Sequence, residues 1–291
     1  MLALVPPVIP KPCPKGWSVG LVRGAALDEL RTAAQVAQPI LTADDCGASN
    51  AQFVADPFAT RVGNEWYLFC EVYDTVLNRG VIGAARSKDL ESWDYLGTVL
   101  EEPHHLSYPF VFEHGGDIFM MPEARSAREV TIYRAVDFPF RWKREKTILR
   151  GRYFDASMVK HDGRYWLFVG WMNYWLRLFH APHPLGPWAP HAFPFIRTYD
   201  KGGARPGGRP VVIDGKLIRF GQDNAAHYGH QLRAWEVTAL SPRWYAERPV
   251  SREPVLQPSG AGWNAVGMHH LDLHVDDAGG WVGFVDGAPR Q

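Results

Sequence analysis

The chain has 291 residues and a mass of 32.8 kDa, enough for one large domain or two ordinary ones and ample for a buried core. Its 31 basic side chains balance 31 acidic ones, so no global field gathers nucleic acid or an anionic membrane, and 46% hydrophobic residues exclude a disordered chain. Gly at 28, Pro at 23 and 13% aromatics describe many short strands joined by turns rather than a helical bundle.

The opening MLALVPPVIPKPCP has five prolines and no basic head, so no signal peptide is expected. No apolar run approaches the roughly 18 residues of a membrane span. Cys13, Cys46 and Cys70 are odd in number and widely spaced, with no C-x-x-C, which suggests neither a disulfide framework nor a zinc site. Together with the lack of an N-x-S/T sequon, they point to a reducing, cytoplasmic location. WSVGLVRG from Trp17 and QPILTADDC from Gln38 then read as strands, separated by a helical stretch at residues 25–38.

From Asp56 onward the chain repeats. DPFATRVGNEWYLFCE aligns without gaps on YPFVFEHGGDIFMMPE from Tyr108, DASMVKHDGRYWLFVG from Asp155 and GGRPVVIDGKLIRFGQ from Gly207, a period of about 50 residues. Each copy is an apolar strand, a Gly-containing turn and a second apolar strand, which is a β-hairpin. HHLDLHVDDAGGWVGFVDG, from His269 to Gly287, is a fifth and looser copy. Two further strand-like runs follow each of the first four hairpins, among them the basic RWKREKTILRGR from Arg141, which alternates like a protected outer edge.

The pattern predicts an all-β, single-domain, five-bladed β-propeller with four antiparallel strands per blade. Blades one to four fall at residues 51–103, 104–150, 151–200 and 201–257, and the inner hairpin of the last blade at 258–291. The strands within residues 1–50 are left to close that last blade. A β-sandwich with chance similarity between hairpins is the alternative.

In a propeller the first and last positions of each inner hairpin meet at one mouth. The first-position column reads Asp56, Tyr108, Asp155, Gly207 and His269 or His270; the last reads Glu71, Glu123, Gly170, Gln222 and Asp286. Loops to the same face carry His104, His105, Arg125, Arg205, Arg209, Asp223, His227, Tyr228 and the aromatic run from Trp171 to Trp175. Carboxylates beside aromatic rings and planar donors suit a sugar or glycoconjugate, an anionic one if Arg125, Arg205 and Arg209 grip a phosphate, sulfate or carboxylate. His269, His270 and His274 do not make a zinc site, because an i, i+4 pair on a strand lies roughly 13 Å apart. The residues themselves imply no metal and no cofactor.

The DPF at Asp56, SKDLESW from Ser87, FDASMVKHDGRYWLF from Phe154 and HAPHPLGPW from His180 resemble the five-bladed propeller glycosidases of families 32, 43, 68 and 130. HLSYP from His105, PEAR from Pro122, ARPGGR from Ala204, RFGQD from Arg219, HYG from His227 and the HHLD and VDG elements more closely resemble the N-terminal region of plant glucosamine inositolphosphorylceramide transferases. The glycosidase resemblance implies Asp56 as base or nucleophile, Asp155 as its orienting carboxylate, and allows a central ion such as calcium. The family 43 acid has no match, since its segment reads ARPGGR here; Glu123, beside Met120, Met121 and Pro122, is the substitute. Glu71, Tyr108, Arg125, Trp171, Arg205, Arg209, Gln222, Asp223, Tyr228, His269, His270 and Asp286 are the candidate substrate contacts. The plant resemblance implies a non-catalytic sugar-binding module partnering a glycosyltransferase as the alternative. A third reading is a mouth recruited for acid/base isomerisation or cyclisation of a small metabolite.

Overall fold

The computed structural model describes residues 16–47, 50–276 and 279–290; the opening prolines and Cys13 lie outside them. In chain order come β1 (Ser18–Gly24), α1 (Leu27–Val36) and β2 (Pro39–Leu41). Blade one follows with β3 (Ala51–Val62), β4 (Glu65–Asp74), β5 (Arg79–Ser87) and β6 (Asp94–Leu100). Blade two has β7 (Ser107–His114), β8 (Asp117–Ala124), β9 (Glu129–Asp137) and β10 (Arg141–Arg150). Blade three has β11 (Phe154–His161), β12 (Arg164–Trp171), β13 (Trp175–Ala181) and the short β14 (Ala189–Pro190). In blade four the innermost strand is broken into β15 (Arg205–Pro206) and β16 (Val211–Ile213), followed by β17 (Lys216–Asp223), β18 (Gln231–Leu240) and β19 (Tyr245–Pro249). The chain returns with β20 (Leu271–Val275) and β21 (Trp281–Gly287).

Among the described residues these strands form five antiparallel sheets, and the molecule is a five-bladed β-propeller. The last sheet runs β2-β1-β21-β20, so the N-terminal strands close the ring as their sequence suggested. Pairing is continuous from Ser18 opposite Gly287 to Gly24 opposite Trp281. The basic run of β10 is the outer edge of blade two, where its charges face water. The helix α1 packs Leu30 and Ala34 inward, and its last carbonyls receive Asn264 Nδ2 on Ala34 at 2.7 Å and Trp263 Nε1 on Ala37 at 2.6 Å. No helix among the described residues is long and apolar enough to cross a membrane.

The core lies between blades rather than at one centre. Phe58, Phe69, Tyr108 and Phe110 join blades one and two; Trp166, Phe168 and Leu176 face Ala204 of blade four. On β1, Val19 packs with Leu68 and Phe284 towards blade one while Val22 packs with Phe220 and Leu271 towards blade four. Positions three apart on a strand face opposite ways, which is how one closing strand seals two seams. Each fully buried Phe among these contributes roughly 1.5–3 kcal/mol.

The repeat has a backbone signature at its first position. Asp56, Tyr108 and Asp155 have φ of 53, 47 and 46°, in the left-handed region. Each sits in a β-bulge: pairing jumps from Ala55–Glu71 to Phe58–Phe69, from Ser107–Glu123 to Phe110–Met121, and from Phe154–Gly170 to Ser157–Phe168. In blade four the equivalent turn falls on Gly208, with φ of 138°, where a Cβ would strike the Leu271 carbonyl of the neighbouring blade. Strained non-glycine positions repeated around an axis mark where side chains are being re-aimed.

Candidate active site in the propeller mouth

The bulges and hairpin ends open onto a pocket of about 230 Å³. Its wall consists of Trp17, Phe53, Ala55, Asp56, Glu71, Tyr73, His105, Ser107, Glu123, Arg205, Tyr228 and His269. Wider grooves of about 500 and 480 Å³ flank α1, but none of their lining side chains is a buried ionisable group. Buried charge gathers at the mouth instead: Asp56 and Glu71 are each 6% exposed, Asp155 1% and Asp286 0%.

Two ion pairs frame the site from behind. Arg205 donates to Asp155 through Nε at 2.5 Å and Nη2 at 3.3 Å, and Gln222 Nε2 adds a bond to Asp155 at 2.7 Å. A third donor of Arg205 reaches Asn173 at 3.1 Å. On the opposite side His269 Nδ1 lies 2.7 Å from Asp286 Oδ2, an ion-pair contact without hydrogen-bond alignment. Asp286 also accepts the backbone N–H of His269 at 3.1 Å and of Asp56 at 3.3 Å.

Burial sets the protonation of the groups between these pairs. It pushes Asp56 up to about 7; His269 opposes the shift, Asp155 and Asp286 add to it, and Arg205 opposes it. Glu71 and Glu123 are raised well above the usual carboxylate range, first by burial and then by neighbouring carboxylates, Asp56 for Glu71 and Asp155 for Glu123. Burial, the largest single influence on His269, lowers it, but Asp286 and Asp56 together leave it raised; Asp286, which burial alone would raise, is lowered by His269 in turn. His270, fully buried, is pushed down to about 4 by desolvation. Its ring meets Phe58 and Tyr108 edge to face at 4.6 and 5.2 Å, and neither ring nitrogen has a hydrogen-bond partner.

Of the residues singled out by sequence, Asp56, Glu71, Glu123, Arg205, Tyr228 and His269 line the pocket. Asp155, Gln222, Asp286 and His270 stand directly behind them. Others lie elsewhere. Tyr108 is fully buried, its hydroxyl 2.8 Å from Ser157 Oγ and accepting the Gly208 N–H at 2.5 Å, so it ties blades and does not face a ligand. Arg209 is held away from the pocket wall by Asp272 at 2.6 Å, and Asp223 is occupied by Arg233 and Gln231 at 2.7 and 2.8 Å. Trp171 packs beside Tyr153, and exposed Arg125 stacks 4.5 Å from the Phe154 ring. The three arginines therefore do not converge on one anion site. Trp17, Phe53, Tyr73 and Ser107 were not picked out from sequence. Tyr73 had a signal, being two residues beyond Glu71 on the same face of β4. Trp17, which stacks on His269 at 4.3 Å, enters only through ring closure.

Asp56, His269 and Asp286 bring three ligand atoms within 4.8 Å of one another. They do not fit a resident calcium, which takes six to eight oxygens. The chain offers two carboxylates and one nitrogen here, and the Asp286 oxygens already face His269 Nδ1 and two backbone N–H groups.

The five-bladed propeller fold is shared with solved glycosidases. The catalytic domain of the Coprinopsis cinerea GH62 α-L-arabinofuranosidase superposes with a TM-score of 0.59 at 13% identity, over 94% of this chain and 98% of that one. The sucrose-6-phosphate hydrolase of Lactobacillus gasseri gives 0.62 at 13% identity, over 83% and 57%. These likenesses are of fold. The family described as glucosamine inositolphosphorylceramide transferase 1, N-terminal, matches residues 21–288, and the chain belongs to it. Glucosamine inositolphosphorylceramide transferase 1 of Oryza sativa subsp. japonica is 36% identical over 295 residues, covering 93% of this chain. The chain spans about 40% of the length of that relative.

Proposed function

We propose that the mouth binds a sugar of a glycan or glycoconjugate and acts on it by carboxylate acid/base chemistry. Asp56 is the base or nucleophile, Glu123 the acid and Asp155 the orienting carboxylate. One observation carries this reading: carboxyl groups with raised proton affinity surround a small pocket walled by Trp17, Phe53, Tyr73 and Tyr228. Cleavage of a glycosidic bond needs one carboxyl that keeps a proton for the leaving oxygen and one that ionises to attack or to activate water. Burial and Asp155 keep the proton on Glu123, while Asp56, near 7, ionises around neutrality. The Asp155 N–H, 3.3 Å from Glu123 Oε2, links the acid to the bulge that positions Asp155. The buried free thiols of Cys46 and Cys70 accord with a reducing, cytoplasmic setting.

A second reading, a sugar-binding module working beside a glycosyltransferase, is favoured by the Arg205–Asp155 pair. Arg205 stands in the segment where the glycosidase resemblance would supply an acid, and it engages both oxygens of the third-blade carboxylate. The two readings separate when the purified chain is incubated with a panel of aryl glycosides and oligosaccharides and the products are weighed by mass spectrometry. Turnover should rise with pH through about 7, following Asp56. Asp56→Asn should lower it by about 100-fold or more while binding persists. Undiminished turnover in that variant removes Asp56 from its role, and binding without any product selects the module.

A further inference from the structure

The aromatic run at the end of β12 lies outside the pocket wall and builds a surface of its own. Trp171 packs beside Tyr153, but Tyr174 and Trp175 meet the loop that leads into blade four. There the Tyr199 ring lies nearly parallel to that of Tyr174, 15° apart in plane with centroids 6.4 Å apart. Trp175 stands almost perpendicular to both, at 6.2 Å from Tyr174 and 5.4 Å from Tyr199. Tyr199 is 80% exposed and Met172 52%. Met172, Asn173 and Tyr199 also have left-handed backbones, with φ of 52, 63 and 54°. Asn tolerates that conformation, whereas Met and Tyr adopt it only under strain. Tyr199 is thus strained at the same place where it shows its ring to water, and backbone strain of this kind gathers where a ligand is gripped.

The strained loop is pinned. Asp200 donates its N–H to the Tyr174 carbonyl at 2.9 Å, and its carboxylate accepts Arg197 Nε at 2.6 Å and the Gly202 N–H at 2.8 Å. The two rings therefore stand preformed, and a ligand that covers them has little left to order. They join the pocket through Arg205, whose Nη1 donates to Asn173 at 3.1 Å and whose guanidinium lies 5.3 Å from the Tyr228 ring. Apart from the exposed Lys201, charge at this rim is already matched: Arg197 is held by Asp200 and Glu247, and Arg205 by Asp155. Matched charges disfavour an ionic ligand, and the polar Asn173 and Lys201 beside the rings disfavour an acyl chain. A neutral sugar ring suits what remains, with a CH face for the aromatic rings and hydroxyls for the phenols and the amide. We propose that Tyr174 and Tyr199 form a second sugar subsite on the rim, taking a neutral unit of a glycan whose end occupies the mouth. The proposal rests on the carbohydrate reading above and extends its ligand from one sugar to a chain.

The test uses the full chain at neutral pH and titration calorimetry. Probes are xylose, arabinose, glucose and mannose, each with its di-, tri- and tetrasaccharides, and vesicles of phosphatidylcholine. In at least one series affinity should rise about tenfold from the monosaccharide to the longer members, which corresponds to about 1.4 kcal/mol. Tyr199→Ala should shrink that gain to less than about twofold, and Tyr199→Phe, which keeps the ring, should retain most of it. Monosaccharide binding that gains nothing with length overturns the subsite and leaves the carbohydrate reading standing, as does a gain that survives in Tyr199→Ala. Vesicle binding that is lost in Tyr199→Ala makes the rings a membrane contact and also overturns the subsite. Failure of every sugar to bind ends the carbohydrate reading and the subsite together. If Tyr199→Ala does not fold, the tyrosine ring protons of wild type decide by NMR: Tyr174 and Tyr199 should shift with the tetrasaccharide and not with the monosaccharide, and unmoved rings overturn the subsite.

Discussion

At the scale of single residues, the mouth keeps carboxyls where water cannot stabilise their charge, and this has a definite sign for stability. Asp56 rises from 3.8 to about 7 on folding, so the folded state holds its proton more tightly than the unfolded chain. Its contribution is complete below pH 3.8 and is lost as pH climbs through about 7. Glu71 and Glu123, also raised, act in the same direction. Asp286 and Glu247, both lowered, contribute in the opposite sense and lose their share as pH falls. Thermal melts from pH 5 to 8 should therefore show wild type losing stability, and Asp56→Asn losing less, with a gap on the order of 3 kcal/mol at the alkaline end. A gap between the two proteins that stays constant with pH would refute a raised Asp56. Sequence could place Asp56 and Glu123 at the mouth because hairpin ends are counted along the chain. It could not show that Asp155 would be paired by Arg205, since that pair joins two blades and depends on a side-chain fork found only in three dimensions.

At the scale of elements, the repeated hairpin was legible because alternation and turn glycines are local, whereas the bulge at its first position was not. The left-handed φ at Asp56, Tyr108 and Asp155 changes where equivalent side chains go. One of these positions, Asp56, presents its carboxyl to the pocket and another, Asp155, sets one directly behind it; the third sends a phenol to Ser157 of blade three and Gly208 of blade four. For this reason Tyr108, expected among the substrate contacts, is not part of the pocket wall. Tyr108→Phe removes the acceptor for a buried backbone N–H and the partner of a buried hydroxyl, at a cost of about 2–3 kcal/mol. The melting temperature should drop by several degrees while binding of any mouth ligand is retained. A lost ligand with an unchanged melt would return Tyr108 to the site. The same reasoning explains why Arg209, the residue after the turn at Gly208, ends beside Asp272 rather than at the pocket.

At the scale of the whole molecule, stability and site depend on one non-local event, the docking of β1 between β21 and β2. That strand completes the last blade, seals the seams to blades one and four through Val19 and Val22, and delivers Trp17 to the ring of His269. Sequence revealed the event only by elimination, as unassigned strands at one end and an unfinished hairpin at the other. Without β1, β21 would expose a full edge of unpaired backbone, and two interblade clusters would open to water. Deleting residues 1–24 should therefore abolish the cooperative thermal transition and promote aggregation, and the milder Val19→Asp should lower the melt sharply by burying an unpaired charge. Should the truncated chain instead melt cooperatively near the wild-type temperature, ring closure would be dispensable. The mouth would then be assembled by the first four blades and the β20–β21 hairpin, with Trp17 a late addition to a site already formed.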